Sequence, residues 1–158
     1  MTSERDEETV RRYVESLALV LAQIGMQRMA ARVFAALMTT DEGQLTAGEL
    51  ATQLSVSPAA ISGAVRYLEQ VGMVTKIREP GERRDHYRLY DDLWFATFLK
   101  RDRLLTVWHD ATEEGIDALG PDSPAGKRLT DMRDFLAFML KEVNELFARW
   151  HEYREKQS

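Results

Sequence analysis

Two helix starts set close together constrain the fold of this 158-residue chain more than any other feature. Thr46-Ala47-Gly48-Glu49 has capping-box spacing, in which the Thr46 hydroxyl and the Glu49 carboxylate each satisfy a backbone donor left open at a helix start. Ser57-Pro58 repeats the signal, with serine as N-cap and proline at the first helical position, where its missing N–H costs nothing. The first of these helices carries Leu50, Ala51 and Leu54 inward, and the second has Ile61, Val65 and Leu68 as its apolar stripe. Gly72 ends the second helix. Met73 to Glu79 then reads as a strand, Pro80-Gly81-Glu82-Arg83-Arg84 as a turn, and His86 to Leu89 as a return strand. The order is helix, tight turn, helix, basic hairpin.

The outward face of the second helix narrows what such a module can do. With Ile61 pointing inward and about 100° per residue, Val65 and Leu68 stay within about 40° of it on an ideal helix. Ala59, Ser62, Gly63, Arg66, Tyr67 and Gln70 fall on the opposite side. Its first turns are small and uncharged for a solvated face, a surface that can press into a DNA major groove about 12 Å wide. The expectation is positioning by shape and phosphate contacts, with Ser57, Ser62 and Arg66 supplying hydrogen bonds. Arg83 and Arg84 sit on the Pro80-Gly81 turn, and a planar, permanently charged guanidinium suits phosphate or a narrow minor groove. Glu82 and Asp85 flank the pair, either orienting the arginines by ion pairing or leaving the tip nearly neutral.

A net charge of −5 argues against a nucleic-acid binder until its distribution is considered. From Ser57 to Leu89 six basic residues stand against four acidic ones, whereas from Asp91 to Asp122 three basic residues stand against eight acidic. A mildly basic module is thus joined to an acidic helix.

Helical stripes flank the module. Val10, Val14, Leu17, Leu21 and Ile24 place a helix over about Glu7 to Gln23, and Met29, Val33, Phe34 and Leu37 mark a shorter one from Met29 to Met38. After the module, Asp91 or Asp92 caps a helix that runs through Trp94, Phe98, Trp108 and Ile116 and stops at Gly120-Pro121. Ser123-Pro124 starts the last helix, whose Leu129, Met132, Leu136, Met139, Val143, Leu146, Trp150 and Tyr153 keep heptad spacing. One chain has too little other surface to cover these stripes, which predicts a homodimer. The organisation expected is an N-terminal dimerisation helix over 1–24, a DNA-binding domain over 25–90 and a C-terminal helical dimerisation region over 91–158.

The segment LTAGELATQLSVSPAAISGAVRYLEQVGMVTKIREPGERRDHYRL resembles the winged helix-turn-helix of the MarR family of bacterial transcription regulators, particularly its GbsR-type branch. The ELA, L-VS, IS and LE--G-V positions and the GERRDHY wing carry that resemblance over residues 45 to 90. It implies a mostly α fold with a small β-wing, in which a winged helix-turn-helix is flanked by long N- and C-terminal dimerisation helices. It also implies a homodimer on an approximately palindromic double-stranded operator, acting as a repressor released by a small ligand. By position, Ser57 to Val71 is the recognition helix and Arg83 and Arg84 are the wing arginines. Many family members place a basic residue early in that helix, where this chain has Pro58, Ala59 and Ala60, so the resemblance implies DNA binding without specifying base readout. The expected DNA-contacting set is Thr46, Ser57, Ala59, Ala60, Ser62, Gly63, Arg66, Tyr67, Lys76, Arg78, Arg83 and Arg84. Trp94, Phe95, Phe98 and Trp108, with Phe135 and Phe138 nearby, are the expected lining for a small hydrophobic or aromatic effector.

Other function classes find little purchase. His109 and Glu113 share a helix face, but with no cysteine and the other histidines distant in sequence, a solvated surface explains them better than a metal site. Ser, His and Asp residues lack a nucleophile-elbow context, so no enzyme and no cofactor are expected. The charged start from Met1 to Arg12 and the want of a roughly 20-residue apolar run predict neither secretion nor membrane insertion, and the absence of cysteine fits the cytoplasm. The alternative on the same features is a winged-helix protein-interaction adaptor with no DNA role.

Overall fold

The computed structural model describes residues 6–158, with the side chains of 95–100 left aside. Its elements in chain order are α1 (Glu7–Gln23), α2 (Arg28–Thr39), β1 (Gln44–Thr46), α3 (Ala47–Leu54), α4 (Pro58–Gln70), β2 (Val74–Arg78), β3 (Asp85–Leu89), α5 (Leu93–Leu119) and α6 (Pro124–Gln157). The chain divides into two compact units, residues up to Thr97 and Phe98–Ser158. This is the mostly helical architecture with a small β-wing that the sequence predicts.

In the first unit, local chemistry sets the helix ends. The Thr46 hydroxyl accepts from the Glu49 N–H at 3.1 Å while the Glu49 carboxylate accepts from the Thr46 N–H at 3.1 Å, completing the capping box. Ser57 caps α4 by accepting from the Ala60 N–H at 3.3 Å, with Pro58 at the helix start. Each helix then turns its apolar side to one core. Ile61, Ala64, Val65 and Leu68 of α4 join Leu50 and Leu54 of α3 and the run from Ala30 to Leu37 of α2, all buried except the half-buried Arg32. Val14 and Ala18 bring α1 into the same core, so that helix packs with the helix-turn-helix within one unit.

A three-stranded antiparallel sheet closes this unit in the order β1-β3-β2, with Leu45 opposite Tyr87 and Ile77 opposite His86. The wing turn follows from Glu79-Pro80-Gly81-Glu82: the Glu82 N–H donates to the Glu79 carbonyl at 3.1 Å and Gly81 takes φ +86°. Proline at the second position and a residue with positive φ at the third define a type II turn, which favours glycine there.

The second unit is built from α6 and from α5 beyond its first turn, which falls in the first unit. Asp91, one of the caps expected for α5, instead accepts from the Arg88 guanidinium at 3.1 Å, and the helix begins at Leu93. Gly115 lets α6 approach closely, since a Cβ there would stand 2.7 Å from Leu129 Cδ1. Ser123 caps α6 by accepting from the Gly126 N–H at 2.9 Å. Of the expected heptad stripe only Leu136 is fully buried, whereas Leu146, Trp150 and Tyr153 are exposed in the single chain. Phe135, Phe138, Val107 and Trp108 are exposed too, and on the first unit so are Tyr13, Val20 and Ile24.

Candidate nucleic-acid interface

The outward surface of α4 is assembled as its periodicity requires. Ser57, Ala59, Ser62, Gly63, Arg66 and Gln70 are exposed, Ala60 is half-buried, and no ion pair reaches Arg66 among the described residues. Tyr67 is half-buried and packs against the core, so its ring supports the helix as well as flanking its outer face. Thr46 differs from the rest of the expected contact set. It is 5% exposed, and its hydroxyl is held by the capping box, so what it contributes is the placement of α3.

The wing divides its charges in a way the sequence left open. Asp85 takes Arg78 at 3.0 Å and Lys76 at 3.8 Å, both across the β2–β3 pair. Glu82 takes His86 at 2.6 Å. Both acids that flank the tip are therefore turned back onto strand residues. Arg83 and Arg84 remain exposed, with no ion-pair partner among the described residues. The tip carries two uncompensated guanidinium groups, while Lys76 and Arg78, also expected as contacts, are already held by Asp85.

The His86–Glu82 pair makes the wing sensitive to pH. The hydrogen bond to Glu82 raises the His86 pKa above its ordinary 6.5, and the negative charges of Glu82, Glu49 and Glu79 reinforce the shift against partial desolvation. A histidine whose pKa is raised by folding contributes stability that is complete below its unfolded value and lost as pH rises through the folded value. The stabilisation therefore fades above pH 6.5. An NMR titration of the ring protons is expected to give a midpoint above 6.5 that falls back on Glu82→Gln; a parent midpoint at or below 6.5 would contradict the pairing.

Of the aromatics expected to line an effector site, the two tryptophans are both exposed. Trp94 is 50% and Trp108 53% exposed, and Phe95 and Phe98 lie outside the described side chains. Neither tryptophan lines the cleft of about 580 Å³ between α1 and the end of α3, whose walls include Val10, Val14, Glu15, Thr52 and Leu54. Among the described residues no helix is long and apolar enough to cross a membrane.

Sequence reading missed β1, the Asp85 and Glu82 pairings, and a bridge made by Arg32. For Arg32 a signal existed: it is the one charged residue between Ala30 and Leu37 in an otherwise apolar run.

Known proteins agree with this architecture. A profile of the MarR family matches residues 24–85, and one described as an MmpR5-like MarR family transcriptional regulator matches residues 92–153. The chain is 30% identical over 147 residues to the HTH-type transcriptional regulator MmpR5 of Mycobacterium tuberculosis, covering 92% of this chain and 89% of that protein. A crystal structure described as that of a transcriptional regulator superposes with a TM-score of 0.83 at 30% identity, covering 91% of this chain and 99% of the other. With relatives of that class along nearly its whole length, and a capped helix-turn-helix joined to an arginine-tipped wing, the chain is a transcriptional regulator, not an enzyme, and belongs to the MarR family.

Proposed function

We propose that this regulator is a homodimeric, sequence-specific repressor that binds a double-stranded operator in the cytoplasm and answers to a small hydrophobic or aromatic effector. The observation that carries the DNA part is the wing tip, where Arg83 and Arg84 stand exposed while the neighbouring acids are engaged elsewhere. Unpaired guanidinium groups beside an exposed, small-faced helix suit a phosphate backbone and a groove. Dimerisation is supported by the apolar side chains left exposed on the long helices, among them Phe135, Phe138, Leu146 and Trp150. The effector part rests on the family resemblance and on the half-exposed Trp94 and Trp108. Kinship with the GbsR-type branch rests on the ELA core and the GERRDHY wing, whereas residues 92–153 match the MmpR5-like description.

A shift assay with the duplex upstream of its own gene, run beside an unrelated competitor, tests this reading. The expected result is a specific shift by a species that light scattering weighs as a dimer. The second reading, a protein-interaction adaptor, draws on the net charge of −5 and the sparsely polar α4 face; no specific shift from a dimeric sample would favour it.

Gly63→Ala probes the α4 face directly. A Cβ at Gly63 meets nothing within 4 Å, so alanine is expected to stabilise the free protein by about 0.5–1 kcal/mol through helix propensity. If this face enters a groove, the added methyl should nonetheless weaken duplex binding. Higher thermal stability with unchanged affinity would remove this face from the interface.

A further inference from the structure

Arg32 of α2 joins three elements. Its Nε donates to both Glu15 carboxylate oxygens at 3.1 Å and its Nη2 to Glu15 Oε1 at 2.7 Å, a fork-to-fork pair that ties α2 to α1. The same Nη2 donates to the Leu54 carbonyl at 2.9 Å. Leu54 is the last residue of α3, where a helix leaves carbonyls without intrahelical donors. The next residue, Ser55, has φ +54°, a left-handed conformation that brings the Cβ close to backbone and is strained for any residue but glycine. Ser57, two positions further on, caps α4. The strained link between the two helices of the DNA-binding motif is thus held from behind by one guanidinium whose side chain is only 19% exposed.

We propose that Arg32 is a positioning residue for DNA binding: by fastening the end of α3 to Glu15 of α1, it fixes the turn at Ser55 and with it the presentation of α4. The proposal rests on the DNA-binding reading above. Arg32 itself touches no duplex. It lies within the half-buried junction of α1, α2 and α3, and its effect on DNA passes through the backbone of residues 54–57. The arrangement also couples α1 to the turn, so any displacement of Glu15 is felt at the start of α4.

The test uses the full chain and a labelled duplex from upstream of its own gene. Arg32→Ala is expected to weaken binding roughly tenfold or more, because charge-assisted hydrogen bonds at a partly buried site are lost. The dependence of affinity on salt should keep its parent slope, since no phosphate contact disappears. Amide exchange at Val56, whose N–H donates to the Ala51 carbonyl at 3.0 Å, should accelerate while exchange within α2 and α4 stays at parent rates. Glu15→Gln, which keeps the shape and removes the charge, should show the same pattern at smaller amplitude. Parent-like affinity of Arg32→Ala would overturn the proposal. So would exchange accelerating evenly across the whole unit, which marks a purely structural role, or a reduced salt slope, which marks a direct phosphate contact. If the parent chain itself binds no duplex, the DNA reading fails first and the proposal falls with it; if only the variant behaves like its parent, the proposal fails alone.

Discussion

Replacing both wing arginines, Arg83→Ala with Arg84→Ala, is expected to cut duplex affinity by about tenfold or more at moderate salt and to flatten the salt dependence by about two units, one for each lost phosphate contact. The reason lies in how the wing distributes its charges. Asp85 is engaged by Arg78 at 3.0 Å and by Lys76 at 3.8 Å, and Glu82 by His86 at 2.6 Å, which leaves the tip arginines uncompensated. Neither arginine is part of the core, so the folded state should survive the double change. Arg78→Ala is the natural comparison: its guanidinium is already held by Asp85, and its loss should cost less affinity. A double variant that binds as tightly as its parent would show that the wing does not touch DNA. Titrating salt rather than measuring one affinity matters, because a change at a single ionic strength does not separate lost phosphate contacts from altered groove fit.

The second large effect is expected at Gly126, in the first turn of α6. A Cβ there would lie 1.9 Å from the Gly120 carbonyl oxygen and 2.9 Å from its carbon. Both obstacles are backbone. The same carbonyl accepts from the Ser123 N–H at 3.2 Å and from its hydroxyl at 2.9 Å, while that hydroxyl accepts from the Gly126 N–H at 2.9 Å. A methyl group cannot enter without breaking the cap that turns α5 into α6. Gly126→Ala should therefore destabilise the chain at the upper end of the roughly 1–3 kcal/mol typical of overpacking, read as a lowered melting temperature or denaturant midpoint. Gly115→Ala supplies the contrast, since its Cβ meets only the end of the Leu129 side chain, at 2.7 Å, and that side chain can rotate away. Equal losses from the two substitutions would mean that the Gly120–Gly126 junction is looser than its distances state.

Much of this molecule was legible wherever the deciding interactions are local. The capping box at Thr46 and the serine caps at Ser57 and Ser123 each act within three residues of their partners, and all three form as their spacing predicts. The stripe from Val10 to Ile24 placed α1 at Glu7–Gln23 because a periodicity sustained over four turns has few alternatives. β1 escaped because Gln44–Thr46 is three residues long, too short to show alternation, and it forms only because β3 offers a partner. The α6 heptads illustrate a different limit. The pattern was correct as a pattern, yet within one chain it buries Leu136 and leaves Leu146, Trp150 and Tyr153 exposed, because periodicity states which side chains share a face and not what covers them.

The sequence by itself determined where the helices of the DNA-binding motif begin, which way α4 turns its apolar side, and that two arginines sit at the end of a hairpin. These follow from the intrinsic geometry of helices and turns, which needs no distant partner. Only the tertiary structure decided which charges are free to act. Asp85 finds Arg78 across two strands, and Arg32 reaches both Glu15 and the Leu54 carbonyl, 17 and 22 residues away in the chain. An ion pair forms where packing brings two side chains within a few ångströms, and that proximity belongs to the assembled core rather than to any local run of residues.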